Sequence, residues 1–322
     1  MKYKTLVVGL GNIGMGYDFD KNPQFFISTH CQAVNVHPNF ELMGGVDPNL
    51  LTRKNFQSKF SKPVFSDIQD VSKDLNPDII TISTPTNKHY ENIKHAIEFS
   101  PKLVLIEKPL AYNKLEIEKI INLCNSYPHI NIGVNYIREF EPLYYKFAKK
   151  IKNGFLGFPL KIIIKYSKGV INNGSHFIQY ISNFMGSLTE LKVINNGRKW
   201  EGVDPEPDIF ANYENGEVYL LAFREEDYSS CTIEILGKNG KITIDSKGDK
   251  IYHYEVIQDE KFSNYNILNE DSKVYKSDIT KYQYYVYDNI FESLKNKSSL
   301  KCNLNSIRRT LEFYNILENR LK

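Results

Sequence analysis

The sequence predicts an α/β chain in two parts: a doubly wound parallel sheet at the N-terminus, then an α+β region with a large, mostly antiparallel open sheet. Three observations predict it. Strand-like and helix-like runs alternate through residues 5–136, as they do where helices cross over between parallel strands. A glycine-rich turn, Gly9-Leu10-Gly11-Asn12-Ile13-Gly14, follows the first apolar run. Beyond about residue 155 strand-like segments dominate, and Lys238-Asn239-Gly240 marks a hairpin turn.

Taken in order, TLVVGL (5–10) reads as a short buried strand, and a helix is expected around His30 to Val36. FELMGGVD (40–47) is a strand ending in an acid, and DIITIST (78–84) is a strand entered through Asn76-Pro77. KHYENIKHAIEFS (88–100) places Tyr90, Ile93 and Ile97 at helical spacing. KLVLIEKPL (102–110) is a strand, NKLEIEKIINLCNSY (113–127) an amphipathic helix and INIGVNY (130–136) a strand. In the second part LKIIIKYSKG (160–169), EVYLLAFRE (217–225), SSCTIEILGKNGKITIDSKGDK (229–250) and IYHYEVIQ (251–258) are strand-like. GSHFIQYISNFMG (174–186) reads as a helix, and helical segments close the chain near 280–295 and 304–321. A length of 322 residues suits two domains. They are expected at 1–136 and 137–322, with the C-terminal helix packing back on the first.

Composition excludes several classes. The formal net charge is +3, which gives no basic surface for nucleic acid or an anionic membrane. No segment has the ~18 apolar residues that span a bilayer. Cys31, Cys124, Cys231 and Cys302 are far apart, and neither C-x-x-C nor H-E-x-x-H occurs, so no metal site is expected. A reducing, cytoplasmic setting fits these cysteines. MKYKTLVVGLGNIG has lysines before an apolar run, but glycines break that run and no cleavage site follows.

The glycine turn stands between a strand and a helix, where a dinucleotide-binding Rossmann fingerprint belongs. Gly9 permits the tight turn, Gly11 lets a pyrophosphate approach the backbone, and Gly14 lets helix and strand pack closely. Asn12 and Ile13 complete the cradle, and helix N-terminal amides are expected to face the phosphates. Asp47 ends the second strand, where a carboxylate accepts from an adenosine ribose. It would repel a 2′-phosphate, so NAD is expected over NADP. The alternative is a solvent-facing turn residue before Pro48. Asp47 lies further from Gly14 than the usual ~20 residues, and YDFDKNPQFFIST (17–29) looks like an insertion between the loop and its helix.

Two further stretches carry a resemblance. Thr84-Pro85-Thr86-Asn87-Lys88-His89 follows one strand, and Glu107-Lys108-Pro109 ends the next. These resemble the T-P-x-x-x-H and E-K-P of the glucose–fructose oxidoreductase/inositol dehydrogenase (Gfo/Idh/MocA) family. VNYIREFEP (134–142) is similar to that family's N-Y-x-R-R-F-D-P, and NNGSHFIQY (172–180) to its D-x-G-x-H-x-x-D. The resemblance implies that Thr84, Pro85, Thr86, His89, Glu107 and Asn135 line the cofactor. It also implies that the Lys108–Pro109 bond is commonly cis, that His176 is the acid–base group, and that the protein is a homodimer or homotetramer.

Chemistry agrees with these roles. Strand C-termini line the ligand crevice of a doubly wound sheet. An ammonium there, Lys108, can hydrogen-bond a substrate hydroxyl and stabilise an alkoxide as hydride leaves. Imidazole titrates near neutrality, so His176 suits proton transfer; the alternative is a capping or packed histidine. Tyr136, Arg138, Tyr166 and Asn172 are expected to border the substrate, with Asn172 also beside His176 in the catalytic group; an anionic substrate suits Arg138, although there a surface charge reads equally well. The chain departs from the dehydrogenase pattern at Asn172, Gln179 and Glu139. Asn172 and Gln179 hydrogen-bond but carry no charge. The leading expectation is an NAD-dependent oxidoreductase acting on a secondary alcohol of a sugar or nucleotide sugar. The alternatives are a non-catalytic NAD-binding regulator, and a lyase or glycosidase that oxidises transiently with a retained nicotinamide, for which Tyr166 is the candidate extra base.

Overall fold

The structure, a computed structural model, describes residues 2–245 and 247–321. The chain forms two compact units. One comprises the chain through Phe140 together with Thr280–Ser306; the other comprises Glu141–Ile279 and the chain from Ile307 onward.

In the first unit, β1 (Tyr3–Val8), β2 (Phe40–Val46), β3 (Val64–Phe65), β4 (Ile79–Ile82), β5 (Leu103–Glu107) and β6 (Asn131–Asn135) form one sheet. All neighbours are parallel, in the order β3-β2-β1-β4-β5-β6. Strand order reverses between β1 and β4, which is where doubly wound sheets take their ligands, outside the carboxyl ends. Strands β4 and β5 are buried along their whole length, as strands covered on both faces are. The helices of this unit include α1 (His30–Val36), α2 (Leu50–Phe60), α3 (His89–Ile97) and α4 (Lys114–Asn125). Thr29, Asn49 and Asn113 cap α1, α2 and α4 by accepting from the amides of Gln32, Thr52 and Glu116. Helix α2 was not anticipated. Phe56 is its one buried residue, so no apolar stripe marks it in the sequence.

The second unit opens with α5 (Pro142–Lys152), β7 (Leu160–Tyr166), a π-helical turn (Gly169–Gly174) and α6 (Ser175–Ser182). Then follow β8 (Leu188–Trp200), β9 (Asp204–Tyr213), β10 (Gly216–Ala222), β11 (Cys231–Gly237) and β12 (Gly240–Ile244). The last strands are β13 (Lys250–Gln258), β14 (Asn266–Leu268) and β15 (Lys273–Lys276). The nine-stranded sheet runs β14-β13-β12-β11-β7-β10-β9-β8, with β15 also on β13. Strands β7 and β10 pair in parallel and the other pairs are antiparallel. Alternate residues, Ile162 and Ile164, Val218 and Leu220, Ile233 and Ile235, enter a core with Phe147 of α5 and Phe177 and Ile181 of α6. One covered face gives this period of two.

Strands β8 and β9 escaped the sequence reading. Strand β8 is a largely exposed edge whose register shifts three times against β9, which breaks the alternation. Helix α6 stops at Ser182, short of the expected 186. The side chains of Ser182 and Asn183 bond the carbonyls of Gln179 and Tyr180 and compete with the next turn.

The chain then returns to the first unit with α7 (Tyr282–Asn296) and ends in the second with α8 (Arg308–Arg320). Two expectations are corrected here. The first break falls after Phe140 rather than after 136, because the turn Ile137–Glu139 hydrogen-bonds back to Tyr136 and stays with the first unit. The helix that packs back on the first unit is α7, not the C-terminal one. Tyr287 of α7 is fully buried, edge-on to Phe40 at 5.3 Å. Phe313 and Leu317 of α8 enter the second core, and the Thr310 hydroxyl donates to Gln179 Oε1 at 2.7 Å. Thr310→Val should therefore cost about 1 kcal/mol of stability. Urea unfolding checks this, and an unchanged midpoint would show that the bond contributes nothing net.

Candidate active site

The glycine turn divides by what surrounds each glycine. Gly9 has φ +93°, and a Cβ there would lie 2.5 Å from the Ser83 carbonyl carbon. A Cβ on Gly14 would lie 2.1 Å from the Gly9 oxygen, whereas one on Gly11 would meet nothing within 4 Å. Protein packing thus requires the first and third glycines, and the second faces open space. Among the described residues the amides of Gly11, Asn12, Ile13 and Gly14 donate to no protein acceptor. An open face lined by such amides is a cradle for a diphosphate. Asp47 braces it: Oδ2 accepts from Leu10 N at 2.9 Å and Oδ1 from Asn49 N at 2.9 Å. Ser83, which the sequence reading missed, donates to Gly9 O at 2.7 Å and ties β4 to the turn.

The helix does not follow the turn directly, as the insertion at 17–29 implies; the expectation corrected is that its first amides face the phosphates. After one turn, Met15 N to Gly11 O at 2.9 Å and Tyr17 N to Asn12 O at 2.9 Å, the chain leaves. It returns at Thr29, and the first amides of α1 then bond the loop: His30 N to Ile13 O at 3.1 Å and Cys31 N to Gly14 O at 2.9 Å. The insertion is spliced into the helix, and the α1 amides bond loop carbonyls instead of facing a phosphate. Its two ends meet at Asp18, which is 1% exposed. Asp18 Oδ2 accepts from Ser28 N and Thr29 N at 2.6 and 3.0 Å, and Oδ1 accepts from Thr29 Oγ1 at 2.6 Å.

At the carboxyl ends of β5 and β6 a buried polar group forms. Glu107 Oε1 lies 2.9 Å from His30 Nε2 and accepts from Asn135 Nδ2 at 2.6 Å; Oε2 accepts from Lys108 N at 3.2 Å. Asn135 Nδ2 also donates to Gln283 Oε1 at 3.2 Å. His30 Nδ1 lies 3.2 Å from the Tyr287 hydroxyl, which lies 2.9 Å from Thr81 Oγ1. Burial would raise the Glu107 carboxyl, but the hydrogen bond and charge of His30, the Asn135 amide and the Lys108 charge hold it below its ordinary value. Asn135 Oδ1 is buried with no partner among the described residues, an acceptor that a bound ligand donor would satisfy. Lys108 is half-buried, and the Lys108–Pro109 bond is cis.

Thr84 and Thr86 are half-buried and Pro85 exposed at the end of β4. His89 is 1% exposed. Its ring nitrogens lie 3.2 Å from Leu110 O and 3.1 Å from Thr84 O, so it pins two loops of the site together. Burial lowers its pKa against the pull of those carbonyls. Tyr136 is 2% exposed and Arg138 half-buried in the following turn.

His176, Asn172 and Tyr166 belong to the second unit. Asn172 lies in the π-helical turn that runs into α6, where His176 is half-buried. Helical backbone through Gly174 and Ser175 keeps the two within one turn. The turn rests on acids from β9: Asp204 accepts from Ile171 N at 3.0 Å and Asn172 N at 2.7 Å, and Glu206 from Gly169 N at 3.1 Å. Neither acid was singled out, although Asp204, Glu206 and Asp208 have strand spacing. Tyr166 is corrected. It is fully buried, its hydroxyl donates to Pro207 O at 2.6 Å, and burial with the charges of these acids raises its pKa well above the ordinary value. A tyrosine so placed neither touches substrate nor serves as a base, and the lyase reading loses its candidate. Gln179 points inward to Thr310, which accounts for a neutral residue there.

A doubly wound sheet, an open glycine cradle and a charged cluster beside the strand order reversal define a dinucleotide-binding domain. Residues 3–136 match GFO_IDH_MocA, the oxidoreductase family with an NAD-binding Rossmann fold. It is 24% identical over 156 residues to the uncharacterized oxidoreductase YrbE of Bacillus subtilis, covering 48% of this chain and 41% of that one. It is 26% identical over 104 residues to inositol 2-dehydrogenase/D-chiro-inositol 3-dehydrogenase of Lactiplantibacillus plantarum, covering 32% and 29%. The matched segments thus span less than half of either relative. The fold is that of the WlbA dehydrogenase of Bordetella pertussis, solved with NADH and UDP-GlcNAcA, at a TM-score of 0.77 and 13% identity over 99% of this chain and 95% of that one. Among the described residues no helix is long and apolar enough to cross a membrane.

Two tests follow from this geometry. Gly11→Ala should leave stability within about 0.5 kcal/mol but weaken NAD, while Gly14→Ala should lose about 1–3 kcal/mol of stability through overpacking. Calorimetry and NAD titration of both variants check the contrast, and equal stability losses would overturn it. Glu107 has a folded pKa below its unfolded one. Its contribution to stability is therefore complete above the ordinary value of about 4.5 and is lost as pH falls through the folded value. Glu107→Gln should flatten the acid limb of a stability–pH curve; an unchanged slope there would contradict the pairing.

Proposed function

We propose that the protein transfers hydride between NAD and a secondary alcohol or ketone of a sugar or nucleotide sugar. The observation that carries this reading is the open Gly11 cradle joined to the Glu107–Lys108 corner in one unit, in a segment that matches a family of NAD-binding oxidoreductases. NAD, when bound, takes up or gives the hydride. The amides of Gly11 to Gly14 would hold the pyrophosphate, in a turn that Gly9 makes possible, and Asp47 would accept from the adenosine ribose while bracing the turn, which favours NAD over NADP. Thr84, Pro85, Thr86, Glu107 and Asn135 would hold the nicotinamide end, with Asn135 Oδ1 as an acceptor.

Lys108 donates to the reacting oxygen and stabilises negative charge developing there. His176 takes the hydroxyl proton, and Asn172 hydrogen-bonds the substrate without competing for that proton. Arg138 and Tyr136 border the substrate, with Arg138 suited to a carboxylate or phosphate on it. The inositol dehydrogenase relative and the nucleotide-sugar complex of the WlbA dehydrogenase support this substrate class. Retention of both Lys108 and His176 favours catalysis over a purely regulatory role.

The test begins with thermal shift of the NAD-loaded protein against sugars, polyols and nucleotide sugars, followed by turnover on those that bind. Lys108→Ala should lower kcat by about 100-fold or more with NAD affinity kept. His176→Ala should remove the acid limb of the kcat/KM profile and most of the rate. Turnover of Lys108→Ala within a few-fold of wild type, or a persisting acid limb, would assign the chemistry to other groups.

A further inference from the structure

The insertion at 17–29 and the histidine that follows it have no part in the scheme above, yet they meet its central carboxylate. We propose that His30 is a positioning residue that fixes the carboxylate of Glu107, and that the insertion exists in register with this task, seating His30 through Asp18. The proposal deepens the functional reading, since it rests on Glu107 standing at the nicotinamide end of the site.

The geometry carries the argument in three steps. First, the contact is buried: His30 is 0% exposed, Glu107 7% and Tyr287 0%. His30 Nε2 lies 2.9 Å from Glu107 Oε1. Its other nitrogen is held by Tyr287, and Tyr287 by Thr81, so the ring cannot turn without leaving a buried polar atom unsatisfied. Second, this chain of groups ends inside the sheet. Thr81 is 0% exposed, so the chain leads no proton to solvent, and its role is orientation rather than relay. The oriented group is the one whose Oε2 accepts from Lys108 N, so the same contact sets the start of Lys108.

Third, His30 is the first residue of α1, and covalent continuity with the glycine turn does not place it, because the insertion intervenes. Its place is set by His30 N to Ile13 O and by the cap residue Thr29. Both the amide and the hydroxyl of Thr29 are bound by Asp18. A hydroxyl that donates to a carboxylate keeps its lone pairs for the Gln32 amide, which it caps at 3.3 Å. Asp18 thus closes the insertion and locks the helix start in one set of bonds. On the far side, Tyr282 donates to Ser28 O at 2.8 Å and Ile27 N to Thr280 O at 2.9 Å, so α7 holds the same segment.

The titratable groups facing Glu107 are His30 from α1, His89 from α3, Tyr282 and Tyr287 from α7, and Lys108 beside it. Of these, His30 makes the direct side-chain contact with the carboxylate. Removing it leaves burial to act on Glu107 with less opposition, and burial favours the protonated acid.

The experiment follows the Glu107 carboxyl carbon by NMR in carbon-13-glutamate-labelled protein without cofactor. The resonance is assigned with Glu107→Gln, and NAD affinity is measured in parallel across the same pH series. In His30→Leu the titration midpoint should rise, and NAD should bind about tenfold more weakly near neutrality, the loss expected of one charge-assisted hydrogen bond. His30→Gln, which can return an N–H to Glu107, should recover most of both. Asp18→Asn, isosteric but a poorer partner for three donors, should shift the midpoint in the same direction by less. Far-ultraviolet circular dichroism confirms folding, and should His30→Leu not fold, His30→Ala takes its place in the comparison. A midpoint unmoved in whichever of these two variants folds overturns the role of His30. A midpoint that moves with His30 but not with Asp18 overturns the role of the insertion. A wild type that binds no NAD overturns the functional reading instead, and the carboxyl titration still decides this one.

Discussion

A carboxylate buried at the end of a central strand must find partners or give up its charge, and Glu107 organises the first unit around this requirement. Its partners come from two distant places in the chain, His30 at the start of α1 and Asn135 at the end of β6, and from Lys108 beside it. Gln283 and Tyr287, from α7, hold those partners in turn. Partial satisfaction of such a group is costly, since the low dielectric that strengthens each hydrogen bond also penalises each missing one. The elements that supply its partners therefore stand or fall together, and the Lys108 corner inherits their rigidity.

The second unit also satisfies buried carboxylates with N–H donors, here backbone amides. The π-helical turn begins at Gly169, its first amides lack carbonyl partners within the helix, and acids of β9 accept from those of Gly169, Ile171 and Asn172. Gly169 has φ +82°, and a Cβ there would lie 2.0 Å from Asp204 Cγ, so the acid fills the space a side chain would need. Arg198 holds Glu206 at 2.7 Å from the neighbouring strand. The loop that carries Asn172 and leads to His176 is thus supported by carboxylates of β9.

Much of this was legible in residues 1–136 because parallel strands covered on both faces read as continuous apolar runs, and because Gly9, Gly11 and Gly14 sit where backbone, not side chain, must make the approach. Position 108 was legible for the same reason: it ends such a run. What escaped were contacts between residues far apart in sequence. His30 and Glu107 are separated by 77 positions and His30 and Tyr287 by 257, and nothing local in STHCQAV announces either. Strands β8 and β9 escaped because bulges and prolines disrupt the period of two. Tyr166 misled because a tyrosine on a strand near a candidate base reads the same whether its hydroxyl faces a substrate or the Pro207 carbonyl.

The return of the chain to the first unit at Thr280–Ser306 has a consequence for how the protein comes into being. A chain synthesised only to Phe140 holds every strand of the parallel sheet, yet it lacks Tyr287 to cover Phe40 and Gln283 to support Asn135. During translation the nucleotide-binding half must wait, its final layer unmade, while the whole nine-stranded sheet emerges from the ribosome. Completion is then a closure over a long loop, whose entropic cost grows only slowly with length but whose search is slow. No single cut in the sequence therefore separates the two units, since the first takes its last helix from chain beyond the whole nine-stranded sheet.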